Sequence, residues 1–332
     1  MRGSLHGPVP PRKLRDMSLD FAAIRDAHQR IRPHVVRTPV LTSERIDAAA
    51  GASLFFKCEN LQRIGAFKAR GATNAVFSLS EAEAVRGVCT HSSGNHAAAI
   101  ARAAKLRRIP ATIVMPANTN PVKIRNVESF GARIVMCEPT QQGRETAIAK
   151  IIAETGAAFV HPYTDYRVMA GQGTAAVELI EDTAALDLVI CPVGGGGLLA
   201  GTAIAVEALL PRARTIAAEP AGAADAAQSF RAGKVMPVAK VDTIADGLRT
   251  TVGEENFAII RANVADIVTV SEAEIVAAMR ELWEALHIVV EPSGAVPYAA
   301  IQAGKIDVRG QRVGLILTGG NVDLDALPWA KK

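Results

Sequence analysis

Strong net charge is the first thing this chain lacks. Lysine and arginine number 37 against 33 acidic residues, a formal +4 over 332 residues. Both signs are scattered, so the electrostatic footprint of a nucleic-acid-binding protein is absent. Cysteine is sparse: Cys58, Cys89, Cys137 and Cys191 stand far apart inside apolar runs. That spacing excludes a disulfide framework and a zinc knot, and reads as free buried thiols in a reducing, cytoplasmic setting. No apolar run is long and charge-free enough to span a bilayer, and no signal peptide is visible, so no membrane partner is expected. Internal repeats and low-complexity linkers are missing. So are a GxGxxG followed by an acidic residue and a GxxxxGK followed by Ser or Thr, which removes dinucleotides and nucleoside triphosphates as natural ligands.

What is present suffices for a large core: 49% of residues are hydrophobic and only 4% aromatic, with 27 glycines and 17 prolines. Apolar runs of strand length alternate with alanine-rich helical stretches, the pattern of α/β layering in one domain of two lobes or in two domains. Residues 1–16 are basic, rich in glycine and proline, and without periodicity. They are expected to be a disordered leader or tag, with Met17 the natural start. Apolar spacing predicts a helix over 21–31, and β-branched and aromatic content predicts strands over 35–41 and 53–58. From 87 to 162, strands at 88–90, 111–115 and 133–137 alternate with helices at 97–105, 121–130 and 144–154. This rhythm predicts a small domain, 87–162, set into a large one made of 17–86 and 163–332. Gly171-Gln172-Gly173-Thr174 is expected to open a helix, 188–191 and 313–317 to be strands, and Ser271 to cap a helix with Glu274 closing the box.

Four stretches carry chemistry. Gly194, Gly195, Gly196 and Gly197 lie between a strand and a helix, where only glycine lets several backbone N–H groups close on a phosphate. A phosphate loop is favoured there over a structural turn. His91-Ser92-Ser93-Gly94-Asn95-His96 also runs from a strand into a helix. Its N–H groups and the Ser92, Ser93 and Asn95 side chains can converge on a carboxylate, although an ordinary N-cap loop explains it as well. In Gly65-Ala66-Phe67-Lys68-Ala69-Arg70-Gly71-Ala72, small and apolar neighbours and a helix start lower the ammonium pKa of Lys68, freeing an amine for Schiff-base chemistry. Taken alone, a solvated Lys and Arg is the plainer reading. Glu219 and Asp225 with the Ala223 carbonyl are oxygen ligands of the kind Mg²⁺ or Ca²⁺ prefers, although a capping Asp and a solvent-facing Glu is the plainer reading of these residues alone. Arg144 sits near a helix start, against the dipole preference, which hints at an anionic neighbour.

With these motifs in this order, joined by Ala170-Gly171-Gln172-Gly173-Thr174, Thr243-Ile244-Ala245-Asp246-Gly247 and Thr318-Gly319-Gly320-Asn321, the chain resembles the fold-type-II pyridoxal phosphate (PLP) enzymes. Within them it is similar to the serine/threonine dehydratase and serine racemase family. The resemblance runs over about 38–323. It implies a tryptophan synthase β-like α/β fold: two open, twisted, mostly parallel sheets flanked by helices. It implies that Lys68 carries the PLP Schiff base, that Phe67 packs near the ring, and that Gly194 to Gly197 hold the phosphate. Asn95 would meet the phenolic oxygen and Thr318 the pyridine nitrogen, with Glu291 completing the cofactor set. A hydroxyl at that nitrogen leaves the ring largely neutral, which favours elimination over transamination.

The implied substrate is a 3-hydroxy amino acid of the serine, threonine, 3-hydroxyaspartate or 3-phenylserine type, its carboxylate held by Ser92, Ser93, Asn95 and His96. Freed Lys68 would take the α-proton, and β-elimination would give a 2-oxo acid and ammonia. Racemisation is the alternative, with Ser93 returning the proton from the opposite face. The resemblance also implies Mg²⁺ or Ca²⁺ at Glu219, Ala223 and Asp225, and a homodimer. Two stretches depart from the family pattern. Ala66 replaces a usual serine, and Tyr163-Thr164-Asp165-Tyr166-Arg167 replaces a more acidic, proline-containing segment. Arg167 with Arg144 suits a second carboxylate, and Tyr163 and Tyr166 suit an aromatic substrate. Tyr163, Tyr166 and Arg167 are equally readable as residues between lobes, and Arg144 as a solvated surface arginine.

Overall fold

The computed structural model describes residues 19–237 and 240–330, so the leader expected at 1–16 lies outside the described residues. The strands are β1 (Val40–Leu41), β2 (Ser53–Cys58), β3 (Val88–His91), β4 (Ala111–Pro116), β5 (Arg133–Cys137), β6 (Ala158–Phe159), β7 (Leu188–Pro192), β8 (Arg214–Pro220), β9 (Asp266–Val270) and β10 (Arg312–Leu317). They form a six-stranded sheet in the order β1-β2-β10-β7-β8-β9 and a four-stranded sheet in the order β5-β4-β3-β6. Only the β1–β2 pair is antiparallel. Every residue of β7 is buried, as a central parallel strand covered on both faces requires.

Few aromatics are needed because helices approach closely. Helix Lys68–Phe77 meets helix Asn95–Arg107 through Ala72, Ala75 and Val76 against Ala97, Ala98 and Ala101. Elsewhere glycine replaces alanine. A Cβ on Gly171 would lie 2.6 Å from the Gly71 Cα, and one on Gly201 would lie 2.7 Å from the Gly173 N.

Those contacts correct one expectation. Gly171-Gln172-Gly173-Thr174 does not open a helix but lies in the middle of Tyr166–Thr183, which Asp165 caps by accepting from the Arg167 N–H. The glycines serve helix packing, not a terminus. The strand expected over 35–41 shrinks to β1. Its backbone is bound by side chains instead: Gln62 donates to the Val36 carbonyl and accepts from the Val36 N–H, at 2.7 and 2.8 Å, and Pro39 has no N–H to offer a ladder. The capping box forms as expected, with Ser271 N donating to Glu274 Oε2 at 2.7 Å.

Candidate active site

In a parallel sheet the carboxyl ends of the strands face one edge, and ligands bind in the crevice outside it. Both sheets follow that rule. β2 leads to Lys68, β3 to Ser92, β6 to His161, β7 to Gly194, and β10 to Thr318.

Lys68 is the first residue of its helix. The preceding turn is stitched to the end of β10: Phe67 N donates to the Thr318 carbonyl at 3.0 Å, and Ala66 bridges Gly319. The Lys68 amine donates to the Pro162 carbonyl at 2.9 Å and lies 5.1 Å from the centre of the Phe67 ring. Burial lowers its pKa to about 8, so the neutral amine is far more accessible than in an ordinary lysine.

The glycine run starts after β7, and Gly196 adopts φ +89°, a left-handed conformation that glycine tolerates. Any Cβ at Gly195 would collide with the Tyr163 ring, and one at Gly197 would sit 2.8 Å from the Tyr163 carbonyl. Asn256 secures the loop by donating to the Gly195 carbonyl at 2.6 Å and the Tyr163 carbonyl at 3.0 Å. Among the described residues no backbone carbonyl accepts from the N–H groups of Gly194, Gly195 or Gly196. Helix Gly197–Leu209 adds its own N-terminal amides. The result is a run of amide donors without a backbone partner among the described residues, with the Tyr163 ring packed against Gly195.

Facing it, helix Asn95–Arg107 starts with its first amides free behind Ser92 and Ser93. Ser92 Oγ accepts from Gly94 N at 3.3 Å, and no described group bonds the Ser93 hydroxyl. Asn95 donates to both Glu291 oxygens at 3.3 and 3.4 Å and accepts from Asn321 Nδ2 at 2.9 Å. Burial, then the charge of Asp246, pushes the Glu291 carboxyl up to about 7. His96 points inward instead: its ring is buried with Nε2 3.5 Å from the Val160 carbonyl, and burial, then Lys68, holds its pKa well below the usual value. It contributes to the crevice a backbone N–H, not an imidazole.

A profile of the family described as "Pyridoxal-phosphate dependent enzyme" matches residues 31–319. The chain belongs to that family. It is 51% identical over 303 residues to a beta-hydroxyaspartate dehydratase of Paracoccus denitrificans (strain Pd 1222), covering 91% of this chain and 96% of the relative. It is 47% identical over 313 residues to a serine racemase of Arabidopsis thaliana, covering 93% and 95%. The structure of maize serine racemase superposes with a TM-score of 0.91 at 44% identity, covering 93% and 95%. The fold is that of the fold-type-II PLP enzymes.

The residues present fit PLP: an amine of lowered pKa, an apolar ring beside it, and a cradle of free amides at the start of a helix. Other residues marked in the sequence fall elsewhere. Arg167 is turned to Asp165, with Nε and NH2 on its carboxylate at 3.0 and 2.6 Å, and its charge is felt by Glu83. That pairing leaves it no free fork for a substrate carboxylate. Tyr166 is partly buried and packs against the core cluster that contains Met169. Arg144, by contrast, is half-buried and has no ion pair among the described residues; burial, then its charge, lowers the pKa of His91, and it opposes the upward push of burial on Tyr163.

Glu219 is fully buried and accepts from Ala226 N and Ala227 N at 3.0 and 2.9 Å; Asp225 accepts from Val252 N at 2.7 Å. Burial raises the two carboxyls to about 8 and about 6, and Asp225 adds to the effect on Glu219. Among the described residues no group of three or more His, Cys, Asp or Glu is arranged to hold a metal, and no described helix is long and apolar enough to cross a membrane. The sequence reading passed over His161. It follows β6, only two residues long, and its one signal was a short apolar run, 157–160, ending at a His-Pro step.

Proposed function

We propose that this chain is a PLP-dependent ammonia-lyase of 3-hydroxy amino acids, and that 3-hydroxyaspartate is the substrate its site fits best. The name of the Paracoccus relative supports that choice, and Arg144 is the observation that carries it. A half-buried guanidinium with no ion pair among the described residues, whose charge acts on His91 and Tyr163, suits a second carboxylate and has no use for the hydrogen or methyl of serine or threonine. Arg167 has no part in this reading.

When bound, PLP supplies the aldehyde to which Lys68 attaches and the electron sink that lets the α-proton leave. The chain does the rest. Amides of Gly194 to Gly197 would hold the cofactor phosphate, the Thr318 hydroxyl would serve the pyridine nitrogen, and Phe67 would pack against the ring. Asn95, oriented by Glu291 and Asn321, would hydrogen-bond the phenolic oxygen. Ser92 and the free amides of Asn95 and His96 hold the α-carboxylate. Once the substrate amine has displaced it, the neutral Lys68 amine would take the α-proton and hand it to the departing β-hydroxyl, which leaves as water; a second water would hydrolyse the released enamine to 2-oxo acid and ammonia.

Racemisation is the second reading, and the Ser93 hydroxyl favours it: unbonded by any described group, it is free to return a proton to the α-carbon. Release of 2-oxo acid and ammonia, set against loss of optical rotation, separates the two with L-serine, L-threonine, 3-hydroxyaspartate and 3-phenylserine. In Arg144→Met, kcat/KM for 3-hydroxyaspartate should fall about 10- to 100-fold more than that for serine. Equal losses on both would end the Arg144 assignment.

We also read Glu219, Asp225 and the Ala223 carbonyl as a Mg²⁺ or Ca²⁺ site. Two buried carboxylates whose side chains meet only backbone amides are relieved by a divalent ion. Dialysis against a chelator should then lower the melting temperature, with Mg²⁺ or Ca²⁺ restoring it; an unchanged melt would remove the ion from the scheme.

A further inference from the structure

His161 stands in a row of rings. His91 lies 5.6 Å away at 85°, Tyr163 4.6 Å away at 85°, and Phe159 5.8 Å away at 87°. Its Nδ1 accepts from the backbone N–H groups of Thr164 and Tyr163, at 3.1 and 3.4 Å. Two amide protons aimed at one ring nitrogen exclude a third, so the imidazole is neutral and its single proton is on Nε2. No described group accepts that proton. The next carbonyl along the chain, that of Pro162, is the one the Lys68 amine meets. The charged and titratable groups acting on His161 are His91, Asp165 and Lys68, while Arg144 acts on the rings to either side of it.

We propose that His161 is a specificity-determining residue: its fixed Nε2–H, on the ring that stands between those of His91 and Tyr163, donates to the side-chain carboxylate of the substrate. This rests on the lyase reading above and assigns part of its selectivity. The same geometry excludes a role as the acid that protonates the departing hydroxyl. Losing the Nε2 proton while two amides occupy Nδ1 would leave an imidazolate. His161 therefore holds a proton in place and does not move it. A fixed donor gains a charge-assisted hydrogen bond from a carboxylate and none from the hydrogen or methyl of serine or threonine, so it favours the dicarboxylic substrate.

The test compares His161→Phe, which keeps a ring and deletes the donor, with His161→Gln, which keeps an N–H near the Nε2 position. In the holoenzyme, the ratio of kcat/KM for 3-hydroxyaspartate to kcat/KM for serine should fall about tenfold or more in His161→Phe, chiefly through KM, and recover in part in His161→Gln. Succinate, a dicarboxylate without an amine, should raise the melting temperature of the wild-type holoenzyme more than acetate does, and the excess should vanish in His161→Phe. Equal losses for the two amino acids, undiminished protection by succinate, or an ionisation limb of kcat/KM abolished by His161→Phe would each overturn the proposal. Wild-type protein that releases no ammonia from 3-hydroxyaspartate would defeat the lyase reading instead, and the succinate comparison would still decide the role of His161.

Discussion

Lys68 and Arg70 are two residues apart on one helix, and their surroundings are opposite. Arg70 is completely buried and fully engaged. Its Nε and NH2 reach Glu59 at 2.7 and 2.8 Å, NH1 and NH2 reach Glu178 at 2.9 and 2.6 Å, and NH1 reaches Thr174 at 3.2 Å. Lys57, also completely buried, joins from β2 with its amine 2.8 Å from Glu178 and 2.6 Å from the Thr38 carbonyl. Thr38 closes the circuit by donating to Glu59 at 2.6 Å. Two cations balance two anions, and strand, turn and two helices are tied at one point. On the crevice side the donors outnumber their partners: Lys68 has one carbonyl, while Arg144, the Tyr163 and Thr318 hydroxyls and the glycine amides have no described partner. Buried polar groups that are saturated fix a scaffold, and polar groups left open at its rim await a ligand.

The widest separation of the two sides comes from paired substitutions. Lys68→Ala should abolish the visible absorbance of the bound cofactor and cut ammonia release about 10³-fold or more, while moving unfolding stability by no more than about 1 kcal/mol. Arg70→Met should do the reverse in kind. It leaves Glu59 and Glu178 buried with one cation between them, a loss of about 3–5 kcal/mol, read as a fall in the urea midpoint of the cofactor-free protein. A stable Arg70→Met protein with a normal midpoint would dissolve the contrast.

How far the sequence revealed this division depended on the range of the interaction. The Lys68 stretch and the glycine run were legible because their chemistry is local: an amine among small residues, and four residues whose only shared property is the missing Cβ. Ser271 and Glu274 were legible for the same reason, three residues apart and reciprocal. Gly171 and Gly173 were misread because a glycine that lets a helix pass and a glycine that starts one look alike until the neighbour, Gly71 or Gly201, is placed. Arg167 looked available until Asp165, two residues back, was seen to hold it. The grip of Glu291 on Asn95 spans 196 residues, and the fixed tautomer of His161 depends on a turn that follows a strand too short to show a period. No local pattern encodes either.

A smaller effect sharpens the same comparison through pH. Burial lowers Lys68 from an ordinary 10.5 to about 8 in the folded chain. Below about pH 8 both folded and unfolded chains carry the ammonium, and the folded one bears the desolvation cost. Between about 8 and 10.5 the folded chain has released its proton and the unfolded chain has not. The unfolded state then binds more protons, and stability rises with pH. The urea midpoint of the cofactor-free protein should therefore increase from pH 7.5 to 9.5 relative to that of Lys68→Met, in which the gain is absent. Cofactor uptake follows the same proton, since only the neutral amine attacks an aldehyde. Its initial rate should climb about tenfold per unit below pH 8 and level off above it. Arg70 contributes to neither curve, because its guanidinium, held between two carboxylates, keeps its charge throughout. If the uptake rate is flat from pH 6.5 to 9, the Lys68 amine is not desolvated, and the division between a sealed side and an open one loses its chemical meaning.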